Sequence, residues 1–109
     1  MVCLAGDTHN AWYSNLKNAN GDEVGVEFAT SSVSSPGFEQ YIGLNDAEVA
    51  GFQQALQILI DDLQYMDATR RGYLKVTFTS SSSQAEWNFI DTTASENYTQ
   101  TIGETISYS

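Results

Sequence analysis

One stretch of this chain carries a helical rhythm. Val49, Phe52, Leu56, Leu59, Ile60 and Leu63 recur at spacings of three and four, while Gln53, Gln57, Asp61 and Gln64 fall on the opposite side. A helix of roughly five turns accounts for this pattern. Asn45 marks its start, with Glu48 three residues later as a looser version of the capping box. The apolar residues on either side alternate instead, so the helix has to pack by one face against β-structure.

The alternating segments can be placed one by one. Residues 2–5 read as a short buried strand that runs into the polar loop Gly6-Asp7-Thr8-His9-Asn10 at its carboxyl end. Trp12 to Leu16 and Val24 to Phe28 are extended, and the turn-forming residues Asn18 to Asp22 join them as a hairpin. After the helix, Gly72 ends a turn. Leu74, Val76 and Phe78 then alternate with Tyr73, Lys75 and Thr77 in the clearest strand of the chain. Ser80 to Ser83 connects this strand to Ala85–Asp91, whose apolar face is Trp87 and Phe89, making a second hairpin. The Ser/Thr-rich tail alternates weakly through Tyr98, Ile102 and Ile106, which fits an edge strand or a mobile end. Residues 30–45, rich in Ser and Gly and holding the sole proline, Pro36, form a long connection. The expected architecture is α+β, a small, mostly antiparallel sheet of two hairpins with one long amphipathic helix.

Size and charge narrow the functional classes. At 109 residues, 1–109 is a single domain, and 41% apolar against 17% charged residues suits a folded, β-rich chain. Fourteen acidic residues oppose Lys17, Arg70, Arg71 and Lys75, a net charge of −10 that repels nucleic-acid phosphates and anionic lipid. No run approaches the ~18 to 20 apolar residues of a membrane span. Cys3, alone in the chain, sits in the apolar run Val2-Cys3-Leu4-Ala5 and is expected to behave as a small buried hydrophobe.

The candidate chemistry lies in the loop after the first strand. Asp7 and His9, the single histidine, stand two residues apart, so carboxylate and imidazole can converge on one metal ion; a hydrogen-bonded loop pair is the competing reading of the same residues. Arg70 and Arg71 could hold a phosphate, but near a helix end they are expected to neutralise helix carbonyls or nearby carboxylates. Trp12, Tyr73, Trp87 and Phe89 are expected in the core. Ser34 and Ser35 have no base partner, which argues against a serine triad.

Several stretches, in order and at plausible spacing, resemble the alkaline phosphatase D-like (PhoD-like) metallophosphoesterase family over about residues 2–93. Gly6-Asp7-Thr8-His9-Asn10-Ala11-Trp12 is similar to its metal-loop motif. Val24-Gly25-Val26-Glu27-Phe28-Ala29-Thr30 with Ser34-Ser35-Pro36-Gly37 resembles the following strand and loop. Tyr65-Met66-Asp67, Arg70-Arg71-Gly72-Tyr73 and Ala85-Glu86-Trp87-Asn88-Phe89-Ile90-Asp91-Thr92 resemble the closing helix-to-hairpin segment.

The resemblance implies a C-terminal fragment of the family's α/β/β/α sandwich, with Asp7 and His9 as metal ligands and Asn10 as a ligand or phosphate contact. It implies hydrolysis of phosphate monoesters or diesters by metal-activated water, calcium and iron as cofactors, and a periplasmic or secreted location. The family's other metal motifs have no counterpart here, so the chain is expected to be a truncated gene, an expressed fragment or a domain cut inside the catalytic domain. As an isolated chain it is expected to bind metal weakly, to be inactive, and to form a homo-oligomer that covers apolar faces. The alternative is a stand-alone β-rich binding or structural module without catalytic activity.

Overall fold

Seven strands and one helix form within residues 1–6, 8–36 and 43–109, the part of the chain that the computed structural model describes. In chain order they are β1 (Val2–Ala5), β2 (Ala11–Lys17), β3 (Glu23–Ala29), α1 (Asp46–Leu59), β4 (Leu63–Asp67), β5 (Arg71–Phe78), β6 (Ser83–Ile90) and β7 (Gln100–Tyr108). The strands divide between a four-stranded sheet, β1-β3-β2-β4, and a three-stranded sheet, β5-β6-β7.

The single, mostly antiparallel sheet expected from the sequence is therefore corrected to two sheets, one of them mixed. The reason is topological. The β2–β3 hairpin turns where Asn18 Oδ1 accepts from the backbone N–H groups of Asn20 (2.9 Å) and Asp22 (3.0 Å). β3 then slots between β2 and β1, and a strand that has reversed twice runs parallel to the first, with Val2 opposite Val26 and Ala5 opposite Ala29.

The pleat puts Ala11 and Tyr13 of β2, Val26 and Phe28 of β3, and Tyr65 of β4 on one face of the larger sheet. Ala85, Trp87 and Phe89 of β6 meet that face. Trp87 bridges the layers: it is fully buried, its Nε1 donates to Ala29 O at 2.8 Å, and its ring lies edge-on to Phe28 and tilted against Tyr65, with centroids 5.8 and 5.3 Å away. The opposite face presents Trp12, Leu16 and Met66 toward Leu56 of α1, across a gap of about 300 Å³. Of the aromatics expected in the core, Trp87 and Phe89 are there, Trp12 is half-buried under the helix, and Tyr73 is exposed.

The helix is shorter than its periodicity predicts. Asn45 caps it as expected, accepting from Glu48 N at 2.9 Å. It stops at Leu59, and Ile60 is extended at φ −111°, ψ 98°. Asp62 O instead receives Asn15 N (2.8 Å) and Ser14 Oγ (3.0 Å), which starts β4 along the edge of the larger sheet. Leu63 thus belongs to a strand. Leu59, expected on the buried stripe, is 78% exposed. Gln53, expected to face away, is half-buried and accepts from Ala68 N through its side-chain oxygen, tying α1 to the turn after β4.

Two details of the smaller sheet also differ. Gly72 lies inside β5 rather than in a turn, and a side chain is excluded there because a Cβ would stand 1.9 Å from Asn88 O on β6. Phe78, expected inward with Leu74 and Val76, is 60% exposed where β5 runs past the core. The tail forms the edge strand β7, antiparallel to β6. Cys3 is half-buried rather than buried.

Candidate functional site

β1 and β3 are parallel, so their carboxyl ends emerge together, and functional loops of such sheets gather at that end. The Gly6–Asn10 loop leaves β1 there, and the segment after β3 passes beside it. Thr8 ties the two together: its Oγ1 donates to Asn10 O at 2.7 Å and lies 3.2 Å from Thr30 O. Asp7 lies outside the described residues, so the expected convergence of Asp7 and His9 does too. Gly37 of the neighbouring loop is likewise outside them.

His9 adopts a left-handed backbone, φ 62°, which costs a non-glycine residue on the order of 1 kcal/mol and therefore needs neighbours that hold it. Two are present. The ring Nδ1 is 2.9 Å from Pro36 O; a carbonyl only accepts, so Nδ1 carries the proton and, in the neutral ring, Nε2 carries the lone pair. On the main-chain side, Arg71 Nη1 donates to His9 O at 2.8 Å.

Asn10 is 6% exposed. Its Nδ2 points to Thr8 O at 3.4 Å, which orients the amide, and its Oδ1 is buried with no hydrogen-bond partner among the described residues. A buried oxygen left unsatisfied costs about 1–3 kcal/mol. A cation ligated there would remove that cost, so the donor chemistry of the residue is compatible with a metal ligand. No cluster of three or more His, Cys, Asp or Glu side chains that could hold a metal occurs among the described residues.

The turn from β4 to β5 closes the site from below. Asp67, 7% exposed, accepts through Oδ1 from Thr69 N (3.0 Å) and Arg70 N (2.9 Å), and its Oδ2 pairs with Arg70 Nε at 2.7 Å. The Arg70 guanidinium lies 4.1 Å over the Phe89 ring, in space that a Cβ on Gly103 would invade, 2.3 Å from that ring. Arg70 thus neutralises a carboxylate, as anticipated. Arg71 does not serve the end of α1, which finishes twelve residues earlier; its guanidinium binds the carbonyls of His9 and, at 3.5 Å, Ala68. A polar recess of about 320 Å³ opens beyond Arg71, between Thr69 and Thr92. Tyr65 lies near this turn; burial, then the Asp67 carboxylate, push its phenol up to about 12.

The reach of Arg71 to His9 spans 62 residues and has no signature in local sequence. Pro36, which fixes the ring, carries a turn signal but none that names His9 as its partner.

A protein-family model described as PhoD-like phosphatase matches residues 1–87. The chain belongs to the PhoD-like phosphatase family. A solved structure titled "Structure of PhoD" superposes on 98% of this PhoD-like chain with a TM-score of 0.71 at 17% identity, which establishes a shared fold. The match covers 20% of that structure's chain, so the present chain spans about a fifth of its length. No curated protein matches it.

Proposed function

We propose that this chain contributes one loop of the metal centre of a PhoD-like phosphoesterase acting on phosphate monoesters or diesters. In this reading Asp7 and His9 are ligands, His9 through Nε2, and Asn10 supplies its Oδ1 to a cation or its amide to the phosphate. The observation that carries the reading is the buried, unpartnered Asn10 Oδ1 beside a histidine whose Nδ1 is already committed to Pro36 O. Family membership supports a metal-dependent hydrolase, and the resemblance in the loop points to calcium and iron. Bound there, such a cation would supply Lewis-acid polarisation of a phosphoryl oxygen and activation of water. The residues of this chain hold, orient and shield: Thr8 and Pro36 fix the loop, and the β4–β5 turn covers its base.

Two or three donors make half a site, so the isolated chain binds metal weakly and turns over phosphate esters negligibly. The test is a Mn²⁺ titration read by electron paramagnetic resonance, with a chromogenic phosphate-ester assay alongside. His9→Ala and Asn10→Ala are each expected to weaken Mn²⁺ binding about tenfold or more. Hydrolysis or Mn²⁺ binding that survives His9→Ala unchanged would remove the proposal.

A further inference from the structure

We infer that Arg71 is a positioning residue for His9. The inference rests on the reading of His9 as a ligand, and deepens it. Arg71 begins β5 in the smaller sheet, is 7% exposed, and sends Nη1 across the interface between the sheets to His9 O at 2.8 Å. Its strand is sewn to the same region by Gly72 N, which donates to Ser32 O at 3.2 Å. His9 is the one described non-glycine residue with positive φ, and it is held from both sides, on its carbonyl by Arg71 and on its ring by Pro36. The first contact fixes the direction of the peptide plane and the second fixes the ring. Together they determine where Nε2 points, which is how outer contacts tune a ligating histidine.

Arginine suits this task better than lysine. Its planar fork offers donors at fixed angles, and here two of them reach carbonyls from different segments, His9 O and Ala68 O. Burial within the turn set by Asp67 keeps the fork from swinging away. Without it, His9 is free to return to negative φ, and Nε2 moves with the backbone. Arg70, its neighbour, is committed elsewhere, to Asp67 and the Phe89 ring.

His9 is the only histidine, so its imidazole and backbone NMR signals can be assigned without ambiguity. The experiment compares wild type, Arg71→Met, Arg71→Lys and Lys75→Met. Lys75→Met removes the same charge from an exposed position on the same strand. Two readouts are taken: the intraresidue amide–Hα NOE of His9, which is strong for positive φ, and the Mn²⁺ concentration that half-broadens its ring signals. Arg71→Met is expected to lose the strong NOE and to raise the Mn²⁺ midpoint about tenfold, the lower end of outer-contact effects on metal sites. Lys75→Met should stay within twofold of wild type. A left-handed His9 and an unchanged midpoint in Arg71→Met would overturn the inference, as would equal effects of Arg71→Met and Lys75→Met. Should Arg71→Met fail to fold, Arg71→Lys decides, since a lysine that matches wild type in both readouts shows that the fork has no such role. If wild type itself gives no Mn²⁺ broadening, the metal reading fails while the NOE still decides whether Arg71 holds His9.

Discussion

Replacing Trp87 by Phe probes the junction on which the whole arrangement depends. The indole is fully buried, bridges from β6 to the end of β3 through Ala29 O at 2.8 Å, and contacts Phe28 and Tyr65 across the interface. Phenylalanine keeps the aromatic contact with Phe28 but removes about 40 Å³ of side chain, worth about 1 kcal/mol at roughly 24 cal/mol per Å³ of cavity. It also removes the Nε1 hydrogen bond to Ala29 O in a site closed to water, which adds about 1–2 kcal/mol. The sum is about 2–3 kcal/mol, a large share of the 5–15 kcal/mol typical of a domain. For a chain of this length that lowers Tm by about 8–12 °C. Urea unfolding followed by far-UV circular dichroism measures it, and the slope with denaturant should not change. A loss below about 1 kcal/mol, or a changed slope, refutes the reasoning: the first means that the two sheets do not depend on this bridge, the second that they unfold separately.

Gly72→Ala forces a Cβ to within 1.9 Å of Asn88 O unless β5 and β6 separate, so a loss of about 2–4 kcal/mol is expected by the same assay; a loss under about 1 kcal/mol contradicts it. Asn45→Ala removes the acceptor for Glu48 N and should cost about 1 kcal/mol, read as reduced stability with the fold retained. Tyr65, its phenol raised to about 12 in the folded chain against 10.0, favours the folded state fully below pH 10, and that contribution is lost as pH rises from 10 through 12. Discounted for partial exposure, the effect is about 1–2 kcal/mol. Tyr65→Phe should flatten the alkaline limb of a stability–pH profile; an unchanged limb rules out Tyr65 as its source.

Much of the fold was legible because local patterns and tertiary context agree. Val24, Val26 and Phe28 alternate and form a strand; Asn18 to Asp22 carry turn chemistry and form the turn; Asn45 caps where its residue type allows. The tail of the helix is ambiguous in sequence because Leu63 fits both a spacing of four from Leu59 and the alternation Leu63, Tyr65. No glycine or proline between them marks the change, and the choice is made by Asn15 and Ser14 bonding Asp62 O from another strand. The division into two sheets was hidden for the same reason: hairpins are local, but the pairing of β1 with β3 and of β4 with β2 joins strands distant in sequence. At the site, the motif pointed to His9 and Asn10, whereas the left-handed turn of His9 and its support by Arg71 arise from residues far apart in sequence.

The central claim, that this chain supplies part of a metal centre, is tested most directly by anomalous diffraction from a crystal soaked in Mn²⁺. The account predicts an anomalous peak within coordination distance, about 2.0–2.3 Å, of His9 Nε2, with Asn10 Oδ1 turned to the same ion. Peaks found only at surface carboxylates away from the Gly6–Asn10 loop would contradict it.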